Sequence, residues 1–133
     1  MTIGELEQLA SGAAWPPTRA WRLVETLLEN FFSPDPRLRD TLSFTLMDRL
    51  IEEGLLTMGE RVSLLKTALD NRHLFAGIGE TGTDSVFGRS FSVLVVPMVL
   101  GSDLRDAELP EDIVIWTLDR VLTYAAAERD WRG

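Results

Sequence analysis

The sequence predicts an all-α fold, a right-handed αα-superhelix of helix pairs with about 5–7 helices. Three observations predict it. Apolar residues recur at helical spacing in at least five segments. Prolines, glycines and capping residues punctuate those segments where helices start and stop. Two stretches also resemble each other at a fixed offset, Arg39 falling on Arg89, Phe44 on Leu94, Leu46 on Val96 and Leu50 on Leu100.

Taken in order, Ile3 to Ala10 is a first short helix. Pro16 and Pro17 break the chain, and Thr18 is placed to cap the next segment. Leu23, Leu27 and Phe31 then share one helical face. Pro34 and Pro36 end that helix, and Asp35 before Pro36 reads as an N-cap followed by the first helical residue. Leu38, Leu42, Leu46 and Leu50 form an i, i+4 stripe, closed by Gly54 at the position after the C-cap.

Thr57 and Glu60 have capping-box spacing. Their helix carries Val62, Leu65 and Leu69 and fades at Asp70-Asn71. A glycine loop comes next. Thr83 or Asp84 then caps a helix with Phe87, Phe91, Leu94, Val95 and Met98. Pro97 falls inside that apolar run, which predicts a kink and not an end. The stretch Gly101–Leu109 reads as an acidic loop leading to Pro110. Glu111 and Asp112 suit the positive end of a last helix, with Val114, Leu118, Val121, Leu122 and Ala125 on one face.

Each of the two similar stretches is a first helix followed by a loop and a second helix. A helix-pair unit of about 40–50 residues is the mark of HEAT and armadillo solenoids. The 133 residues are read as one helical repeat-like domain spanning 1–133.

Composition narrows the function. Hydrophobic residues make up 45% and charged residues 26%, which suits a globular core. There is no cysteine, so disulfides and thiolate metal sites are excluded. The formal net charge is −8, and the thirteen basic residues, of which Lys66 is the single lysine, form no stripe. That argues against nucleic acid as a partner. The N-terminus has no signal-peptide pattern. The uncharged run Ser90–Ser102 would rise about 20 Å as a helix, against about 30 Å of hydrocarbon. The expectation is a cytoplasmic protein with no membrane partner.

Gly77, Gly79 and Gly82 are spaced as G-x-G-x-x-G, a dinucleotide fingerprint when it follows a strand and opens a bare helix N-terminus. Here the upstream segment has helical period. Glu80 and Asp84 would more than cancel the half positive charge of the helix end. The reading is an interhelix loop with glycines in left-handed turns, and no cofactor.

The longer segment Gly77–Ser92 carries more. Ser33, Pro34, Asp35, Arg39 and Asp40 come before it. Gly77, Ile78, Gly79, Asp84, Ser85, Val86, Phe87, Arg89, Ser90, Phe91 and Ser92 form its middle motif, and Glu128, Asp130, Arg132 and Gly133 close it. Together these resemble the domain of unknown function 2785 family of bacterial proteins, over roughly residues 25–133. The resemblance implies an all-α, HEAT-like fold and no activity that can be carried over. It also implies that relatives continue past the Arg-Gly with a His-containing segment, so that this chain reads as a shortened member or a truncated product.

The charged residues of the matching segments, Glu80, Asp84, Arg89, Glu128, Asp130 and Arg132, are the candidate ligand-binding group. Acids beside arginines can hold a ligand or, through the carboxylates, a metal. They can equally be ion pairs that join helix pairs. Arg89 lies about 200° around the axis from Phe87, among Val86, Gly88, Ser90 and Val93. A glycine inside a helix implies close packing, so Arg89 is expected to be buried and paired with Asp84, Glu128 or Asp130. His73 suits a helix C-terminus better than catalysis. With one His and no Cys, no zinc site is expected, and Ser85, Ser90 and Ser92 lack a base. Trp15, Trp21 and Trp116 read as core or seam. Trp131, near the chain's end, suits a homodimer interface. Two functions remain open: a non-enzymatic module binding a protein or peptide, and an enzyme-like ligand or metal domain built on the acid and arginine group.

Overall fold

The computed structural model describes residues 1–17, 19–106 and 109–132, without the side chains of 104–106. Among these there is no strand. The elements are α1 (Ile3–Ala10), α2 (Ala20–Asn30), a π-helical stretch (Arg37–Phe44) running into α3 (Thr45–Glu52), α4 (Met58–Ala68), α5 (Ser85–Val93), α6 (Val95–Asp106) and α7 (Glu111–Ala127). The all-α class is as the periodicity requires.

Local chemistry sets most boundaries. Thr2 accepts the Glu5 N–H at 3.2 Å and starts α1. The Asp35 carboxylate accepts the Arg37 N–H at 2.9 Å, and the Asp35 carbonyl accepts the Arg39 N–H at 3.0 Å, as the Asp-Pro start demands. The end of α3 is a Schellman turn. Leu55 N–H reaches the Leu50 carbonyl at 3.0 Å, Gly54 N–H the Ile51 carbonyl at 3.1 Å, and Gly54 has φ 71°. Thr57 and Glu60 form the capping box in both directions. Thr18, the expected cap of α2, lies outside the described residues; Arg19 precedes α2 without a side-chain cap.

Buried side chains of α1–α4, α6 and α7 form one hydrophobic cluster, with half-buried Phe91 and Val93 of α5 packed against it and Leu27, Phe31, Leu46, Leu64 and Leu65 fully enclosed. Within it α2 packs on α3, α4 and α5, α3 and α4 pack on α6, and α7 lies against α4. Burying each such Leu or Phe contributes about 1.5–3 kcal/mol.

Four expectations need correction. The first half of the leucine stripe winds as a π-helix, and with i→i+5 bonds the i, i+4 register slips, so Leu38 is only half-buried while Leu42, Leu46 and Leu50 are enclosed. The kink expected in the long apolar helix falls at Leu94, three residues before Pro97: Leu94 stays helical (φ −68°, ψ −15°) while its N–H turns back to the Phe91 carbonyl at 3.2 Å, and the helix continues through Pro97. The inward face of α5 is also rotated from expectation: Val86, Gly88, Arg89 and Ser92 are buried, Phe87 and Phe91 half-buried, and Leu94 exposed. The supposed acidic loop is helical through Asp106, since Gly101–Asp106 continues α6. Because α5 and α6 run on, Ser85–Asp103 is long and apolar enough to cross a membrane by length and composition, although half of it is buried within the protein.

The fourth correction concerns α7. Val114 and Val121 face inward in part, whereas Leu118, Leu122 and Ala125 are exposed. The buried face of α7 is built on Thr117 and Tyr124. Arg120 anchors it by donating from Nε and Nη2 to the Leu69 carbonyl at 3.0 and 2.7 Å, at the end of α4.

Candidate functional site

The loop between α4 and α5 follows a turn in which His73 Nδ1 meets Asp70 Oδ1 at 2.8 Å. Gly77, Gly79 and Gly82 have φ of 64°, 90° and 75°, the left-handed turns that only glycine adopts cheaply. At Gly77 a side chain would also strike Glu80 Oε1 and Ser85 Oγ. The turns aim two loop carbonyls inward.

Arg89 receives them. It is 0% exposed, projecting from the second turn of α5. Nη1 donates to the carbonyls of Ala76 and Gly77, each at 3.0 Å, and to Ser85 Oγ at 2.7 Å. Nε and Nη2 grip the Glu128 carboxylate at 2.7 and 3.0 Å, a bidentate fork. What lets Arg89 lie so deep is Gly88. The Phe32 ring occupies the place of the missing Cβ, so α5 and the end of α2 meet backbone to ring. This is the close packing that the glycine implied.

Glu128 ends α7. Its own N–H caps the Tyr124 carbonyl at 2.9 Å, and its Oε1 accepts the N–H groups of Arg129 and Asp130, both at 3.0 Å. Burial raises its pKa, but the Arg89 fork, the Asp130 N–H and the Tyr124 hydroxyl outweigh that and hold the carboxyl below its ordinary 4.5. Burial, then the hydrogen bond to Glu128, pushes the Tyr124 hydroxyl well above its usual range.

A second pair closes over the loop. Asp130 Oδ2 accepts the Gly82 N–H at 2.9 Å, and Arg132 Nε sits 2.9 and 3.0 Å from the two Asp130 oxygens. Arg132 Nη2 donates to the Thr83 carbonyl at 2.8 Å. Arg132 first, and then the Gly82 N–H, hold the Asp130 carboxyl far below the usual carboxylate range.

Of the six candidates, four therefore come together as two ion pairs, Arg89 with Glu128 and Asp130 with Arg132. The other two stand at the rim. Asp84 is exposed at the start of α5 and makes no side-chain cap. Glu80 is exposed, with Ser85 Oγ 3.4 Å from its Oε1. Sequence reasoning missed the carbonyls of Ala76 and Gly77, which have no side-chain signal. It also missed Tyr124, which was legible as the residue one turn before Glu128 on a helix.

The arrangement is self-satisfied. Every nitrogen of the Arg89 guanidinium has an acceptor, and both carboxylates are engaged. Among the described residues no group of three or more His, Asp or Glu stands close enough to hold a metal ion. A surface concavity of about 910 Å³ lies between the starts of α2 and α4, lined in part by Arg19, Arg22, Glu25 and Glu60, and includes none of the six.

Residues 74–133 match the model of a family described as protein of unknown function (DUF2785). Over these residues the chain is similar to that family. The DUF2785 match spans the glycine loop, the Arg89 helix and the tail that pairs with it, and begins after the Ser33–Asp40 segment. No curated protein and no solved structure matches the chain. In that N-terminal segment Arg39, which aligns with Arg89 at the repeat offset, serves differently. Its guanidinium stacks on the Phe87 ring at 4.2 Å and donates to the Ser33 carbonyl at 2.9 Å.

Proposed function

We propose that the chain is a non-enzymatic helical module that docks a protein or peptide, with its helix pairs arranged in the HEAT or armadillo manner within one domain, and that it works in the bacterial cytoplasm. One observation carries the reading. The outer face of α7 presents Ile115, Leu118 and Leu122 to solvent at 60%, 48% and 70% exposure. A stripe of large aliphatic side chains on a single helix face is the shape of a helix-docking surface. The charged cluster supports the same reading, because Arg89 is engaged by Glu128 and the loop carbonyls, and Asp130 by Gly82 and Arg132, all within the chain itself.

The test is a photo-crosslinking residue placed at Leu122 in cells that carry the gene. A discrete protein adduct at Leu122, absent from the same probe placed at exposed Glu25, is the expected result. No adduct at Leu122 would remove the basis for a docking module.

A further inference from the structure

Two recesses meet where Trp15, the start of α2 and the turn at Leu55 come together. One is an apolar slot of about 110 Å³, walled by Trp15, Pro16, Leu23, Leu50 and Leu55. The other is the wide concavity between the starts of α2 and α4. Arg19, Ala20 and Leu55 line both, so Arg19 stands where the slot opens onto the concavity.

The wall of the slot is held in place. Trp15 donates from Nε1 to Glu53 Oε1 at 3.0 Å, and the Arg49 guanidinium lies 4.7 Å from its ring centroid. Arg49 donates in turn to Glu53 Oε2 at 2.8 Å. Pro16 and Pro17 follow Trp15 directly and stiffen the chain that carries it. Leu55 is 38% exposed at the rim.

Volume sets one end of an occupant. A dry cavity of about 150 Å³ holds benzene. A slot of about 110 Å³ takes a smaller group, one branched aliphatic end. Charge sets the other end. Among the described residues Arg19 and Arg22 are exposed and paired with no carboxylate, while Arg37, Arg49, Arg89 and Arg132 each have one. Ala20 begins α2, whose positive end adds to the charge of Arg19. Glu25 and Glu60 line the concavity but not the slot, and Glu60 is turned to the Thr57 N–H at 3.0 Å. These two acids oppose a polyanion, and leave a place for one negative charge beside Arg19.

We infer that the slot binds an aliphatic carboxylate, its branched apolar end against Trp15, Leu23 and Leu55 and its carboxylate on Arg19. A free acid and the C-terminal leucine of a peptide share this chemistry. The inference is independent of the α7 face.

The probes are isocaproate, N-acetyl-leucine, the uncharged amide of N-acetyl-leucine and the tripeptide Gly-Gly-Leu, titrated into the isotope-labelled chain and followed by NMR. The indole N–H signals read the site, because Trp15 lines the slot and Trp116 and Trp131 do not. A saturable shift of Trp15 alone among these three is expected, with a Kd on the order of a millimolar for so small a ligand. N-acetyl-leucine should bind about three- to fivefold tighter than its amide. Arg19→Gln removes that preference. Arg22→Gln, which takes the same charge from the concavity alone, keeps it. Leu55→Asp weakens all three acids by roughly tenfold, since it sets a like charge at the rim. All three substitutions are at exposed positions, and unchanged circular dichroism spectra are expected.

Gly-Gly-Leu binding tighter than isocaproate identifies a peptide terminus as the ligand, and binding no tighter identifies the free acid. No saturable shift of Trp15 up to tens of millimolar overturns the inference. So does equal affinity for N-acetyl-leucine and its amide, or an effect of Arg22→Gln equal to that of Arg19→Gln.

Discussion

Arg89 and Glu128, 39 positions apart in the chain, meet through a two-pronged ion pair with both side chains at 0% exposure. The pair ties the end of α7 to the middle of α5, and through the Ala76 and Gly77 carbonyls it holds the glycine loop as well. Removing one partner of a buried pair leaves an uncompensated charge and costs about 3–5 kcal/mol. Arg89→Ala is therefore expected to unfold or strongly destabilise the chain in denaturant melts. Arg89→Lys keeps the charge but cannot form the fork, and should lie between. Wild-type melting of Arg89→Ala, with partner binding lost, would assign Arg89 a functional role.

Gly88 allows the Phe32 ring to rest against the α5 backbone. Gly88→Ala should destabilise by about 1–3 kcal/mol, because overpacking outweighs the gain in helix propensity. The double variant Gly88→Ala with Phe32→Leu is expected to recover part of the loss in thermal melts. A stabilised single variant would contradict the contact.

The pH dependence follows from Glu128 and Asp130, both depressed in the folded chain. A depressed carboxyl binds its proton more readily when unfolded. Its contribution is present above the unfolded value, near 4.5 for Glu128 and 3.8 for Asp130, and is lost as pH falls through the folded value. Stability should drop steeply on acidification below about pH 4.5. Glu128→Gln should be less stable at neutral pH and show a shallower acid slope. Parallel acid curves for the two proteins would exclude Glu128 as the source.

The glycine loop is expected to bind neither NAD nor ATP. Its Ala76 and Gly77 carbonyls are turned to Arg89, and exposed Glu80 and Asp84 flank the start of α5. Calorimetry should show no micromolar heat with either compound. Micromolar affinity that disappears on Gly79→Val would reverse this reading.

The sequence by itself determined the all-α class, the capping box at Thr57 and Glu60, the Gly54 stop, the loop character of Gly77–Gly82 and the burial of Arg89. Each of these is local. A cap, a left-handed glycine or a helical period depends on residues within a turn or two, and the chain prints them side by side. The middle motif also named the DUF2785 family correctly over residues 74–133.

Only the tertiary structure decided the rest. Asp84, Glu128 and Asp130 were equal candidates for Arg89, and the choice of Glu128 depends on where α7 ends relative to α5. The inward face of α5 and α7 was misread for the same reason. Amphipathic period fixes that a helix has an apolar stripe, not which stripe meets the neighbours when two are available. On α7 the stripe of Leu118 and Leu122 lost to that of Thr117 and Tyr124, because Tyr124 reaches Glu128 and Arg120 reaches the end of α4. Those polar anchors join residues that the sequence holds far apart, and they turned an apolar face outward.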